Sequence, residues 1–294
     1  MYPPEFDYYR AESVDHALEL IADNPEAKIL AGGHSLIPMM KSGLSDPGTL
    51  VDIGEIDELT GIERDDGTIS IGALTNYATI ADDDELWDER TVLVEAAHEV
   101  GDIQVRNRGT IGGNIAHGDP ASDLPAAVLA ADATIVVQGP GGERTIDADD
   151  FFVGMYATAI GDDELLTRIE VPRRPEAHGA YLKKPSPSSG YALVGVAVSM
   201  ETDGDRIESA RVAANGVLDR GVRLEPVEAA LVGETIEEDV FEAAAQRADE
   251  DIDEFMIMDD IQASAEFRAQ LLRVHTERAL NEAADRIDAP TTTV

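Results

Sequence analysis

The chain has no cysteine in its 294 residues, and that absence excludes several kinds of protein at once. Disulfide frameworks, thiolate-ligated iron–sulfur clusters and a cysteinyl flavin link all need a sulfur that this sequence lacks. Cations are scarce as well: 22 Lys and Arg stand against 60 Asp and Glu, a formal charge of −38. The lysines are Lys28, Lys41, Lys183 and Lys184. Charge of this sign repels nucleic acid. The acidic residues recur along the whole chain, the pattern of a solvated, salt-adapted (halophilic) surface, so stability is expected to rise as salt screens self-repulsion. There is no apolar run of the roughly eighteen residues a membrane span needs. The start, MYPPEFDYYR, lacks the basic-then-apolar order of a secretory signal. A cytoplasmic protein without a transmembrane segment is expected. The six histidines, His16, His34, His98, His117, His178 and His275, show no spacing such as HExxH, so no metal site is expected.

What is present is 43% hydrophobic residues, enough to bury the core of one large or two ordinary domains. Ser13 is placed to cap a helix over residues 14–22, and residues 27–31 read as a short buried strand running into Gly32-Gly33. A second strand at 49–53 completes a β-α-β beginning. Segments 62–64 and 68–73 flank Asp65-Asp66-Gly67 as a hairpin, and helical patterning returns at 77–81 and 92–100. Residues 101–125, GDIQVRNRGTIGGNIAHGDPASDLP, read as a long ordered loop of the kind that often carries function. Strands are expected at 133–138 and 164–171, then a proline- and charge-rich stretch at 172–187 with a domain boundary near 175. Beyond it come strands at 192–201 and 206–214, helices at 226–231, 240–248 and 264–287, and a frayed tail, 289–294.

Two segments carry the chemistry, ILAGGHSLIPMM at 29–40 and TIGGNIAHGDPASDLP at 110–125. Each sets a Gly-Gly pair directly after apolar residues. Glycine accepts positive φ and lets backbone approach a ligand, so successive N–H groups can form an anion-binding concavity suited to a pyrophosphate. Ser35, Thr110 and Asn114 add side-chain donors. Neither GxGxxG nor GxxxxGK[ST] occurs, so these loops are of neither the Rossmann nor the P-loop kind.

AGGHSL with PMM, then TIGGN with DPASDLP, resemble the flavin subunit of aerobic carbon monoxide dehydrogenase and its xanthine dehydrogenase relatives, a likeness spanning nearly the whole chain. The resemblance implies an α+β architecture: a two-lobed, PCMH-type FAD-binding domain over residues 1–175, then a smaller C-terminal domain of antiparallel sheet plus helices over 176–288. It implies non-covalent FAD, with Ala31, Gly32, Gly33, His34 and Ser35, and Thr110, Ile111, Gly112, Gly113 and Asn114, cradling the pyrophosphate. Asp123 would bond a cofactor hydroxyl, unless it caps the helix that follows. Ile29, Leu30 and Leu36, otherwise packing residues, would meet the flavin through backbone, and Leu166 would line the ring. Lys183 would stand as a cation near the flavin, where it raises the reduction potential, or else belong to a surface pair. Tyr191 would pack on the ring or start a strand in the core, and the segment before it departs from the family pattern.

His34 and His117 are read as hydrogen-bond donors to cofactor or loop, Arg106 and Arg108 as phosphate-facing or ion-paired, and Met39 and Met40 as core. The resemblance further implies an electron-transfer role in a molybdenum hydroxylase. A [2Fe–2S] small subunit and a large subunit with the molybdenum cofactor would be partners, in a heterotrimer or dimer of heterotrimers, and no residue of this chain need act as a catalytic acid or base. A self-contained FAD-dependent oxidase or reductase and a non-enzymatic acidic binding protein are the alternatives.

Overall fold

The computed structural model describes residues 2–175 and 177–287; the 289–294 tail lies outside them. The chain opens with β1 (Asp7–Arg10), α1 (Val14–Asp23), β2 (Lys28–Leu30), α2 (Leu36–Ser42) and β3 (Thr49–Asp52). β1 and β2 both run parallel to the central β3. The expected helix forms because the Ser13 side chain accepts the amide of His16, while Val14, Ala17 and Ile21 make one buried stripe. Val14 and Ala17 pack with Val51, Ile53 and Leu59 into a small core of their own. β2 is less buried than its composition suggests: Lys28 is exposed and Ile29 and Leu30 are only half-buried, because this edge strand has a neighbour on one side alone.

A second lobe is built from β4 (Ile62–Arg64), β5 (Thr68–Gly72), α3 (Tyr77–Ala81), α4 (Asp84–Glu99), α5 (Ile103–Arg106), α6 (Ile111–His117) and α7 (Leu124–Ala130). It continues with β6 (Thr134–Gly139), β7 (Gly142–Asp147), α8 (Ala148–Phe151), β8 (Phe152–Gly154), β9 (Ala157–Thr158) and β10 (Leu165–Pro172). Its antiparallel sheet has the order β4-β5-β10-β6-β7. The β4–β5 hairpin turns at Asp65, whose carboxylate accepts the amides of Gly67 and Thr68. The expected long loop at 101–125 is instead largely helical, in α5, α6 and the start of α7. Asp102 and Thr110 supply the caps of the first two. α4 also starts before the expected 92–100, with its backbone broken at Arg90 (φ −154°, ψ 58°).

The third unit is β11 (Ala177–Pro185), β12 (Ala192–Asp203), β13 (Arg206–Asn215), β14 (Val222–Arg223), α9 (Glu225–Leu231), α10 (Glu238–Ala245) and α11 (Ala265–Asp285). The stretch read as a proline-rich connection thus supplies a nine-residue strand. The antiparallel sheet is covered on both faces. Tyr181, Ala197 and Ala213 join the core of the second lobe, while Val196, Val198 and Val212 pack with Leu271, Leu272 and Leu280 of α11. Double coverage accounts for the almost unbroken burial of β12, and each large aliphatic side chain so buried contributes about 1.5–3 kcal/mol. Arg211 pairs with Asp132 and Arg286 with Glu95, and Arg174 pairs with both Asp132 and Glu201 of β12, tying this unit to the second lobe. Among the described residues, no helix is long and apolar enough to cross a membrane.

Candidate functional site

The two glycine segments meet. A Cβ on Gly32 would collide with the carbonyl oxygen of Arg108 and lie 2.9 Å from the Cα of Gly109, so only glycine lets residues 31–33 touch the chain entering α6. Gly33 has φ +77°. The backbone N–H groups of Gly32, Gly33, His34 and Ser35 have no acceptor among the described residues, and Ser35 makes no side-chain cap bond to α2. Ala31, Gly32, Gly33 and Ser35 are half-buried and His34 is exposed. This is a row of donors held open beside a second loop, the geometry an anionic group with several acceptor oxygens requires.

The second segment is different in kind. The N–H groups of Ile111 and Gly112 donate to Thr75 and Ala73 carbonyls, that of Gly113 to the Thr110 hydroxyl, and that of Asn114 to the Thr110 carbonyl. Gly112 is needed for packing, since a Cβ there would lie 2.5 Å from the Cβ of Ala73. The Asn114 side chain donates to the Tyr77 hydroxyl at 3.0 Å and accepts from Ser122 at 2.8 Å. Burial pushes the Tyr77 hydroxyl up to about 12, with the Asn114 donation opposing. Residues 110–114 therefore form a shelf whose backbone donors from Ile111 to Asn114 are already used.

After α6 the chain runs through residues 119–123, whose backbone is gripped by the third unit: Ala192 donates to the Ala121 carbonyl at 3.1 Å and Gly216 to the Pro120 carbonyl at 2.7 Å. Asp123, 4% exposed, makes no capping bond to α7. Its Oδ1 accepts from the Tyr181 hydroxyl at 2.6 Å and its Oδ2 from Lys183 at 3.0 Å. Burial raises the Asp123 carboxyl to about 6, against the pull of the Lys183 charge and the Tyr181 hydrogen bond. Lys183 is no surface cation: its side chain is 3% exposed and also donates to the Glu99 carbonyl at 2.7 Å, while Lys184 is exposed.

Lys183 lines a cavity of about 450 Å³ with Glu99, Gly101, Val105, Ser189 and Gly190. A second cavity of about 390 Å³, lined by Ser13, Thr60, Gln138 and Arg168, shares no residue with either glycine segment. At the end of α6, His117 lies against Tyr156, ring centroids 5.0 Å apart, and burial lowers its pKa. Tyr191 is 43% exposed, not core, and burial of its hydroxyl near Asp119, Tyr156 and Asp123 raises its pKa. Leu166 is buried in the cluster that contains Ile111 and Ile115. Arg106 is spent on the carbonyls of His98, Val100 and Gly101, leaving exposed Arg108 as the cation beside the loops. Met40 is core and Met39 half-buried.

Tyr77, Glu99, Tyr156, Tyr181 and Asn215 were not expected in this site. For Tyr181 a signal existed: two residues before Lys183 on one strand, it shares that residue's face.

Comparison with known proteins identifies the family. A model of the FAD-binding domain in molybdopterin dehydrogenase matches residues 4–174, and one of the carbon monoxide dehydrogenase flavoprotein C-terminal domain matches residues 179–283. The glyceraldehyde dehydrogenase medium chain of Sulfolobus acidocaldarius is 37% identical, over 97% of this chain and 100% of that one. The carbon monoxide dehydrogenase medium chain of Hydrogenophaga pseudoflava is 38% identical, over 96% and 98%. A solved Hydrogenophaga pseudoflava carbon monoxide dehydrogenase, a form lacking the Mo-pyranopterin moiety of the molybdenum cofactor, superposes with a TM-score of 0.91 at 38% identity, covering 97% of this chain and 99% of that one. Quinoline 2-oxidoreductase from Pseudomonas putida superposes with a TM-score of 0.91 at 31% identity, covering 98% and 100%.

Proposed function

The chain belongs to the FAD-binding subunits of the molybdopterin dehydrogenases, and on that premise we propose that it carries FAD as an electron-transfer subunit between a cluster-bearing partner and an external acceptor. The observation that carries this reading is the row of four unbonded N–H groups at Gly32, Gly33, His34 and Ser35, pressed against residues 108–113. A dinucleotide's pyrophosphate is the ligand such a row fits. The donors of the first lobe abut residues 108 and 109 of the second, and the lysine-lined cavity is bordered by α5 and β11; in this reading the first would hold the pyrophosphate and the second the ring end of the same cofactor.

Bound FAD supplies a carrier that accepts electrons singly and releases them in pairs. The chain's own part is to bind, orient and tune. Gly32 through Ser35 donate to phosphate oxygens, and Thr110, Ile111, Gly112, Gly113 and Asn114 form the shelf behind them. Ile29, Leu30, Leu36 and Leu166 supply apolar surface. Lys183 sets a cation beside the ring site, which favours the reduced, negatively charged form. His117 and Tyr156 lie ring against ring, and Tyr191, 43% exposed, would add a third aromatic side chain beside the cofactor. With no cysteine, this chain offers no thiolate for an iron–sulfur cluster, and in this reading the clusters and the molybdenum cofactor belong to partner subunits.

The reading is tested on protein purified in molar KCl, a medium chosen for a chain of charge −38. A yellow protein that releases FAD on heating, and that is reduced by an iron–sulfur partner but not by small organic substrates, is the expected result. Direct reduction by a small substrate would make it a self-contained oxidoreductase, and failure to take up FAD at all would overturn the assignment.

A further inference from the structure

The Lys183 ammonium carries three hydrogens but has two close acceptors, the Glu99 carbonyl at 2.7 Å and Asp123 Oδ2 at 3.0 Å. The third has no hydrogen-bond acceptor among the described residues, the Glu99 carboxylate lying 3.9 Å from the nitrogen, beyond hydrogen-bond reach. The side chain is 3% exposed and lines the 450 Å³ cavity. A lysine has a flexible four-carbon stem, so something must hold it if that hydrogen is to serve a ligand. The Asp123 carboxylate holds it, and Asp123 is itself held by the Tyr181 hydroxyl at 2.6 Å.

The proton count extends this chain one residue further. Tyr181 has a single hydroxyl hydrogen, and the buried carboxylate takes it. Asn215 Oδ1 lies 3.2 Å from the same hydroxyl while Asn215 Nδ2 is buried without a partner. The opposite orientation of the carboxamide, equivalent in shape, turns that nitrogen into a donor to the Tyr181 oxygen. It exchanges an orphaned donor for an orphaned acceptor, the less costly defect. The order is then Asn215 to Tyr181 to Asp123, with Lys183 donating to the same carboxylate from the other side.

We propose that Tyr181 is a positioning residue for the cofactor: by fixing Asp123 it fixes Lys183, with one N–H reserved for an acceptor atom of the flavin ring. The inference rests on the FAD reading above. Tyr181 and Lys183 lie on the same face of β11, so a single strand delivers both the cation and its restraint. A lysine held in place before binding loses little side-chain freedom when the ring arrives.

The test is a double-mutant cycle with Tyr181→Phe and Lys183→Met, made in the full chain and read by FAD titration of the deflavinated protein in molar KCl. Tyr181→Phe is expected to weaken FAD binding by about threefold to tenfold when Lys183 is present, the worth of one hydrogen bond. It should change binding by less than about twofold when residue 183 is methionine. The flavin reduction potential, read in the same samples, falls with either substitution and no further with both. Equal effects of Tyr181→Phe in the two backgrounds, or no effect beside Lys183, overturn the proposal while leaving the FAD reading intact. Wild-type protein that binds no FAD overturns both. If Tyr181→Phe fails to fold, Asp123→Asn takes its place in the cycle, and additivity with Lys183→Met is then the overturning result.

Discussion

The two glycine segments start from similar ingredients, an apolar lead-in, a Gly-Gly pair and a polar flank, and end in opposite roles. In residues 31–35 the backbone donors are unbonded and Ser35 caps nothing. In residues 110–114 every N–H from Ile111 to Asn114 is bonded within the chain, and the Thr110 and Asn114 side chains are engaged as well. One loop keeps its polar groups available at a cost in backbone satisfaction; the other spends them on rigidity. A flexible row of donors would pay the ordering entropy on binding, so the rigid shelf is what makes the open row effective.

The largest effect should come from breaking the contact between the two. Gly32→Ala drives a Cβ into the Arg108 carbonyl, parting the loops, and FAD affinity is expected to fall by about a hundredfold or more, about 3 kcal/mol. Gly112→Ala should do the reverse. Its Cβ would lie 2.5 Å from that of Ala73, inside the fold, so stability drops by about 1–3 kcal/mol while the folded fraction binds FAD within about tenfold of wild type. FAD titration beside thermal melting separates the two, and equal binding losses would erase the distinction between row and shelf.

Next in size is a pH effect further along the second segment, at Asp123. The Asp123 carboxyl is raised by burial from an ordinary 3.8 to about 6. The folded state therefore binds a proton more tightly than the unfolded chain. The stability linked to that proton is fully present below about pH 4 and lost as pH rises through 6. A shift of that size corresponds to about 3 kcal/mol. With 60 acidic residues in the chain, the useful quantity is the difference between wild type and Asp123→Asn. That difference should change between pH 4 and pH 6 in urea melts and stay flat above; a flat difference throughout removes Asp123 as a buried titrating group.

Much of this was legible in the sequence, and the gaps have physical causes. α1 with its Ser13 cap and the hairpin at Asp65 follow from local rules, and local rules held. α5 and α6 were hidden because helices of four and seven residues are too short to show a 3.6-residue period. β1, fully exposed, and β7, almost fully so, lack the alternation that marks a half-buried strand. The glycine pairs pointed to the site, yet their division into row and shelf depends on Thr75 and Ala73, residues distant in sequence that accept the amides of Ile111 and Gly112. Tyr181 and Asn215 read as ordinary strand residues until β11 and β13 are both in place beside β12.

The two smallest effects sharpen the comparison most, because they concern one hydroxyl in each loop. Thr110 Oγ accepts the Gly113 amide, so Thr110→Ala removes a cap and should cost about 1 kcal/mol in stability. Ser35 likewise stands at the N-cap of its helix, α2, but its hydroxyl bonds no helix amide. Ser35→Ala should therefore leave the stability of the FAD-free chain within about 0.5 kcal/mol of wild type. If Ser35 is instead kept for the ligand, the same substitution weakens FAD binding by about threefold to fivefold, the net worth of a hydrogen bond to a neutral donor. A substitution that is silent in the melt and audible in the titration identifies a ligand-facing group; Ser35→Ala silent in both would confine the first loop's role to its backbone.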